Sequence, residues 1–131
     1  MLSLDIRHPD VLEFIKSKVD LSKITGANIS VRVNNEFFEA VKNDKDFYLK
    51  FSIEHPVRPG WSKIAKEYNK LYHTPQDGNV YFKKVKAKEL WQELVKVVHK
   101  SAEPGMLNWD RMINYAPDGV YNQYKPISTN P

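Results

Sequence analysis

The sequence predicts an α/β fold, and three observations carry that prediction. Short segments alternate apolar and polar residues, as at Asn28-Ile29-Ser30-Val31-Arg32-Val33 and from Phe47 to Ile53, the pattern of half-buried strands. Other segments repeat apolar residues three and four apart, most clearly from Ala87 to Ala102, where Ala87, Leu90, Trp91, Leu94, Val97 and Val98 share one helical face. The two patterns take turns through most of the chain, which makes parallel strands joined by crossovers the default topology.

The elements follow in order. Leu2 and Leu4 alternate with Ser3 and Asp5, a short strand between Met1 and Ile6. Pro9 suits the first position of a helix running through Lys18; Asp10 and Glu13 put negative charge near its start, and Val11, Leu12, Ile15 and Val19 form its apolar stripe. Ile24 to Ala27 is a loop, and the 28–33 strand places Ile29, Val31 and Val33 on one face. Asn34 is a natural N-cap, because its side-chain oxygen accepts from an orphan N–H of the first helical turn. Phe37, Phe38 and Val41 then cover the inner side of that helix. Asn43-Asp44-Lys45-Asp46 turns the chain into the 47–53 strand. Residues 54–78, with prolines at 56, 59 and 75, read as a surface excursion with one helix from Trp61 to Tyr72. Asn79 to Val85 is extended, and Glu103-Pro104-Gly105 stops the helix that begins at Ala87. Met106 to Trp109 is a short strand or bend, Asp110 to Asn114 a helical turn, Ala116 to Lys125 a turn-rich loop, and Ile127 to Asn130 a final strand-like segment. No repeat or linker interrupts the chain, so a single domain segment is expected over residues 1–131.

At 131 residues, 41% hydrophobic and 27% charged, the chain has the balance of one ordinary soluble domain. No apolar run reaches the ~18 residues that span a bilayer, and Met1 to Asp5 lacks a signal-peptide pattern, so the expected compartment is cytoplasmic. There is no cysteine. Disulfides, thiolate metal sites and any mechanism that starts at sulfur are therefore excluded for these residues alone. The net charge of +4 is spread among interleaved Lys, Asp and Glu. Its densest stretch, Lys83 to Lys88, is interrupted by Val85 and Ala87 and reads as the wet side of a strand-to-helix junction. A stand-alone basic module for nucleotides or nucleic acid is the competing reading, and it would want a clustered basic face.

His8, His55, His73 and His99 show no ligand spacing, so no metal site is expected. No phosphate-binding glycine loop occurs, and no nucleophile elbow surrounds Ser30. Glu36 with Glu39 and Asp44 with Asp46 fall on polar faces or in turns and read as solvated carboxylates. The aromatic residues, Trp61, Trp91 and Trp109 among them, fall mostly on apolar sides and read as core.

Ordered blocks along the chain resemble the large catalytic chain of ribonucleotide reductases. Leu2-Ser3-Leu4-Asp5-Ile6-Arg7-His8-Pro9-Asp10, with Phe14-Ile15 and Lys18, resembles the strand and helix after the second specificity loop. Gly26-Ala27-Asn28-Ile29-Ser30-Val31, with Glu36-Phe37 and Glu39-Ala40-Val41, is similar to the next strand and helix in the form typical of the adenosylcobalamin-dependent class II. Val85 to Trp91, Ala102-Glu103-Pro104-Gly105 and Trp109-Asp110-Arg111 continue the series. Ser128-Thr129-Asn130-Pro131 resembles the left half of the family's Asn-Pro-Cys-Gly-Glu strand tip. Residues 54–78 look specific to this lineage.

The resemblance implies a partial arc of the ten-stranded α/β barrel of that family, and a share in reducing ribonucleotides to deoxyribonucleotides by thiyl-radical chemistry. It implies that Asn130 is the active-site asparagine that hydrogen-bonds the substrate ribose, with Thr129 and Pro131 flanking it in the substrate site. A neutral amide offers both a donor and an acceptor to sugar hydroxyls without titrating. It further implies adenosylcobalamin as cofactor of the full enzyme, none held by this segment alone. The implied partners are the remaining segments of the same reductase, the ribonucleotide substrate, nucleotide effectors and an external thiol reductant such as thioredoxin, with neither membrane nor nucleic acid. A class I large chain, which uses a radical-generating protein partner, is the alternative within the family. The expected origin is an internal segment inactive by itself, from a split gene, from intein insertions at both ends or by excision, with cysteine as the next residue.

Overall fold

The computed structural model describes residues 1–19, 26–52, 80–115, 117 and 121. Within them are five strands and four helices: β1 (Leu2–Asp5), α1 (Val11–Lys16), β2 (Ile29–Val33), α2 (Asn35–Lys42), β3 (Asp46–Ser52), β4 (Val80–Lys86), α3 (Ala87–Ser101), β5 (Gly105–Asn108) and α4 (Trp109–Tyr115). The α/β class read from the sequence is the observed one. The helix expected at Trp61 to Tyr72 and the strand expected at Ile127 to Asn130 lie outside the described residues.

β1, β2 and β5 form a parallel sheet with β2 in the centre. Leu2 stands opposite Ile29 and Asp5 opposite Arg32 on one side, while Ser30 pairs with Gly105 and Val33 with Asn108 on the other. Val31 and Val33 join the core together with Ile6, Val11, Ile15, Phe37, Leu90 and Leu94. Ser30 and Arg32 face the opposite way, as the two-residue period of a strand requires. Among the described residues the sheet is an open arc, with β1 and β5 each paired on one side only.

The default of parallel strands fails for β3 and β4. They form a separate antiparallel ribbon, with Asp46 opposite Lys86 and Leu49 opposite Lys83. An alternating pattern is the same in either direction, so the sequence alone does not decide it. The ribbon is tied to the rest by the Lys50 N–H, which donates to the Arg7 carbonyl at 2.6 Å. Phe47 also meets Phe37 edge to face, ring centroids 5.1 Å apart. Phe37 is fully buried, a burial that contributes roughly 1.5–3 kcal/mol.

Helix ends depart from expectation in ways that have local causes. The first helix begins at Val11 rather than Pro9, because residues 8–10 form a turn in which the Asp10 N–H donates to His8 Nδ1 at 3.1 Å. Val19 is exposed and falls outside the apolar stripe, while Lys18 is buried and pairs with Glu103 at 2.7 Å. α3 stops at Ala102, which takes the left-handed conformation (φ 59°) and donates its N–H back to the Val98 carbonyl. Pro104 and Gly105 follow that stop rather than cause it. Trp109, read as strand, opens α4.

The N-cap at Asn34 is as expected: its Oδ1 accepts the Phe37 N–H at 2.8 Å. Asn34→Ala should lower the unfolding free energy by about 1 kcal/mol, with Asn34→Asp retaining most of it, in urea denaturation. A second outcome follows from the close approach of β5 to β2, where a Cβ on Gly105 would stand 2.9 Å from Ser30 Oγ. Gly105→Ala should cost about 1 kcal/mol alone and less in a Ser30→Ala background; equal costs in both backgrounds would show that the contact carries no strain.

Candidate functional site

Thr129, Asn130 and Pro131, the ribose-site residues expected from sequence, lie outside the described residues. What is described is the end of the sheet to which the parallel strands deliver their following loops. In parallel α/β sheets ligands gather outside the carboxyl ends of the strands. Three short segments converge there: Asp5 to His8 after β1, Asn34 to Glu36 after β2, and Asn108 to Asp110 after β5.

Each segment is held by polar contacts. Asp5 Oδ1 accepts the Arg7 N–H at 2.8 Å, folding the chain back as β1 ends. The Arg7 guanidinium pairs with the Glu36 carboxylate in the first turn of α2. Asp110 Oδ2 accepts the Asn35 N–H at 2.7 Å, placing a negative charge where the helix N-terminus favours one. The Arg32 guanidinium lies over the Trp109 ring, 4.9 Å from its centroid, a cation–π geometry. Together these contacts fix the spacing of three loops without spending the outward surface of the sheet.

Sequence reading missed this cluster. Asp110 and Asn35 are 75 positions apart, and nothing local to either points to the other. The one usable signal was Arg32, a charged residue in the middle of an apolar strand. Glu36 and Asp46, read as solvated, are exposed in part but each has basic partners: Arg7 for Glu36, Lys84 and Lys86 for Asp46. Those lysine pairings also bear on the basic-module reading, since Asp46 ties down two lysines of the densest patch.

Among the described residues no group of three His, Cys, Asp or Glu is placed to hold a metal ion, and no helix is long and apolar enough to cross a membrane. A pocket of about 220 Å³ opens between α1, α3 and the ribbon. Its floor is Pro9, Leu12, Leu49, Val85 and Leu90, and its rim charges include the Lys16–Glu93 pair at 3.6 Å.

Lys86 at 2.7 Å and Lys84 at 3.3 Å hold the Asp46 carboxyl below the usual carboxylate value, while Asp46 raises Lys86. A carboxyl depressed in the folded state stabilises above its unfolded value, and that contribution is lost as pH falls through the lower folded value. For Lys86 the sign reverses: its contribution is present below its unfolded value and lost as pH rises through the raised one. Asp46→Asn should therefore flatten the acid limb of a thermal-melting profile below the ordinary carboxylate value of 3.8. An acid limb identical to wild type would show that the pair does not stabilise the ribbon.

Comparison with known proteins places these features. Residues 1–129 match the profile of a family described as "Ribonucleotide reductase, barrel domain". The chain is 33% identical over 129 residues, 98% of its length, to a vitamin B12-dependent ribonucleoside-diphosphate reductase of Thermoplasma acidophilum. It is 29% identical over 90 residues, covering 51% of its length, to a vitamin B12-dependent ribonucleotide reductase of Rhodopirellula baltica. It spans only 13% of the first of these relatives and 9% of the second.

Proposed function

The chain belongs to the ribonucleotide reductase barrel-domain family, and from that premise we propose that it forms one arc of the catalytic barrel of a cobalamin-dependent reductase. The observation that carries this reading is the similarity to the B12-dependent Thermoplasma protein along 98% of the chain. The parallel sheet, with helices covering one face, is the element such an arc requires. That relative's name specifies a ribonucleoside diphosphate, and we take the diphosphate as substrate here.

In the complete enzyme a thiyl radical takes the ribose 3′-hydrogen, the 2′-hydroxyl leaves as water, and a cysteine pair supplies the electrons. The chain holds no cysteine. Its contribution is therefore to position and to bind, with the sulfurs supplied by the remaining segments of the enzyme and renewed by an external thiol reductant such as thioredoxin. Within that division of labour residues 1–131 are part of the barrel domain. Asn130 is the residue that touches substrate: its amide N–H donates to one ribose oxygen while its carbonyl accepts from a hydroxyl, which orients the ring before hydrogen abstraction. Thr129 and Pro131 shape the wall beside it.

Adenosylcobalamin supplies the radical in this class. The 220 Å³ pocket between α1, α3 and the ribbon does not fit it, being far smaller than a corrinoid. Its binding belongs to other parts of the enzyme.

In the complete enzyme Asn130→Ala should lower kcat/KM on the order of 10²-fold, measured as deoxynucleotide formed with adenosylcobalamin and dithiol present. Unchanged turnover would remove Asn130 from the site. Turnover that ignores adenosylcobalamin and requires a metal-bearing partner protein would overturn the class assignment.

A further inference from the structure

Among the described residues, Arg32 is a part-buried cation near the carboxyl end of the sheet whose guanidinium has no acidic partner. Asp5 stands directly across from it on β1, yet accepts the Arg7 N–H. Asp110, beside Trp109, accepts the Asn35 N–H, and Glu36 holds Arg7. The Arg32 backbone is bonded into the sheet, its carbonyl accepting the Ile6 N–H at 2.9 Å, but its guanidinium has a cation–π contact with Trp109 and, among the described residues, no side-chain hydrogen bond or ion pair. Its Nε is buried with no acceptor.

Two positions further along, the same holds for an amide. Asn34 is 5% exposed; its oxygen caps α2, and its Nδ2 is buried with no acceptor. The backbone at Asn34 is extended (φ −107°, ψ 165°), which continues the strand's alternation and sets Arg32 and Asn34 on the same side of β2. Buried donors without acceptors are costly, so two at successive positions on one side mark a place that an acceptor completes. The Trp109 ring supports the guanidinium from one side, 4.9 Å from its carbon to the ring centroid, and leaves its N–H donors for an oxyanion.

We propose that Arg32, braced on Trp109 with Asn34 beside it, is an oxyanion subsite at the carboxyl end of the parallel sheet, and that it takes a phosphate group of the nucleotide. The chemistry is that of a planar fork meeting phosphate oxygens, in the crevice where parallel sheets bind ligands. That the oxyanion belongs to a nucleotide rests on the reductase reading; that this spot recognises an oxyanion does not.

The test is calorimetric binding of a nucleoside diphosphate and of inorganic pyrophosphate to the complete enzyme and its variants. Arg32→Gln should raise both dissociation constants about tenfold or more. Arg32→Lys, which keeps the charge and loses the fork, should fall between Arg32→Gln and wild type, and Trp109→Leu should weaken both ligands. Near-UV circular dichroism establishes that each variant is folded, and Arg32→Lys decides the matter where Arg32→Gln is not. Wild-type affinities in a folded Arg32 variant overturn the subsite. Pyrophosphate binding that depends on Arg32 in an enzyme that reduces no nucleotide would keep the subsite and sink the reductase reading, so the two fail separately.

Discussion

Everything described depends on where β2 sits. It is bonded on both edges, to β1 and to β5, and four of its five residues are buried. A parallel strand in that position has to be apolar toward the helices, and Val31 and Val33 meet that demand. Its other face approaches β5 so closely that Gly105 has no room for a side chain without moving Ser30. The register of three strands is thus set by one strand's two faces, one by volume and one by the want of it. A slip of one residue would turn Arg32 into the core and Val31 away from it.

From that register the loops inherit their positions. Asn34 ends the strand and starts the helix in one residue, so Phe37 enters the core one turn later and meets Phe47 of the ribbon. Phe38, on the flank, meets Trp91 of α3 at 5.9 Å. The cap therefore does more than satisfy one N–H: it aims two aromatic rings at two different elements. From 75 positions further along the chain Asp110 closes on the same helix start, so the segments after β2 and β5 are joined through one helix terminus.

Much of this was legible in the sequence, because most of it is local. The cap at Asn34, the strand alternation around Val31 and the long stripe of α3 each depend on residues within a few positions of one another, and each formed as its pattern says. What was not legible is what joins distant positions. Lys18, at the end of the expected first helix, is buried and pairs with Glu103, far along the chain. The direction of β4 against β3 is not encoded by alternation, which is the same in either direction. The family reading needed no geometry, since it rested on ordered blocks. Its site residues, Thr129 to Pro131, lie outside the described residues and remain readings of sequence.

The two sides of the sheet divide the labour. On the helix side, among the described residues, the interior is closed by aliphatic and aromatic packing and a small pocket carries the Lys16–Glu93 pair on its rim. On the other side the strands carry Ser3, Asp5, Ser30 and Arg32, small or polar groups, of which Ser30 is buried. A polar face on a buried central strand carries a desolvation cost. That cost is intelligible when the face lines a space in which another group is to be held. Among the described residues most polar groups at the carboxyl end already have partners within the fold. The exceptions, the guanidinium of Arg32 and the amide nitrogen of Asn34, lie on that same side of β2, which is why the sheet's free chemistry concentrates at one point rather than along an edge.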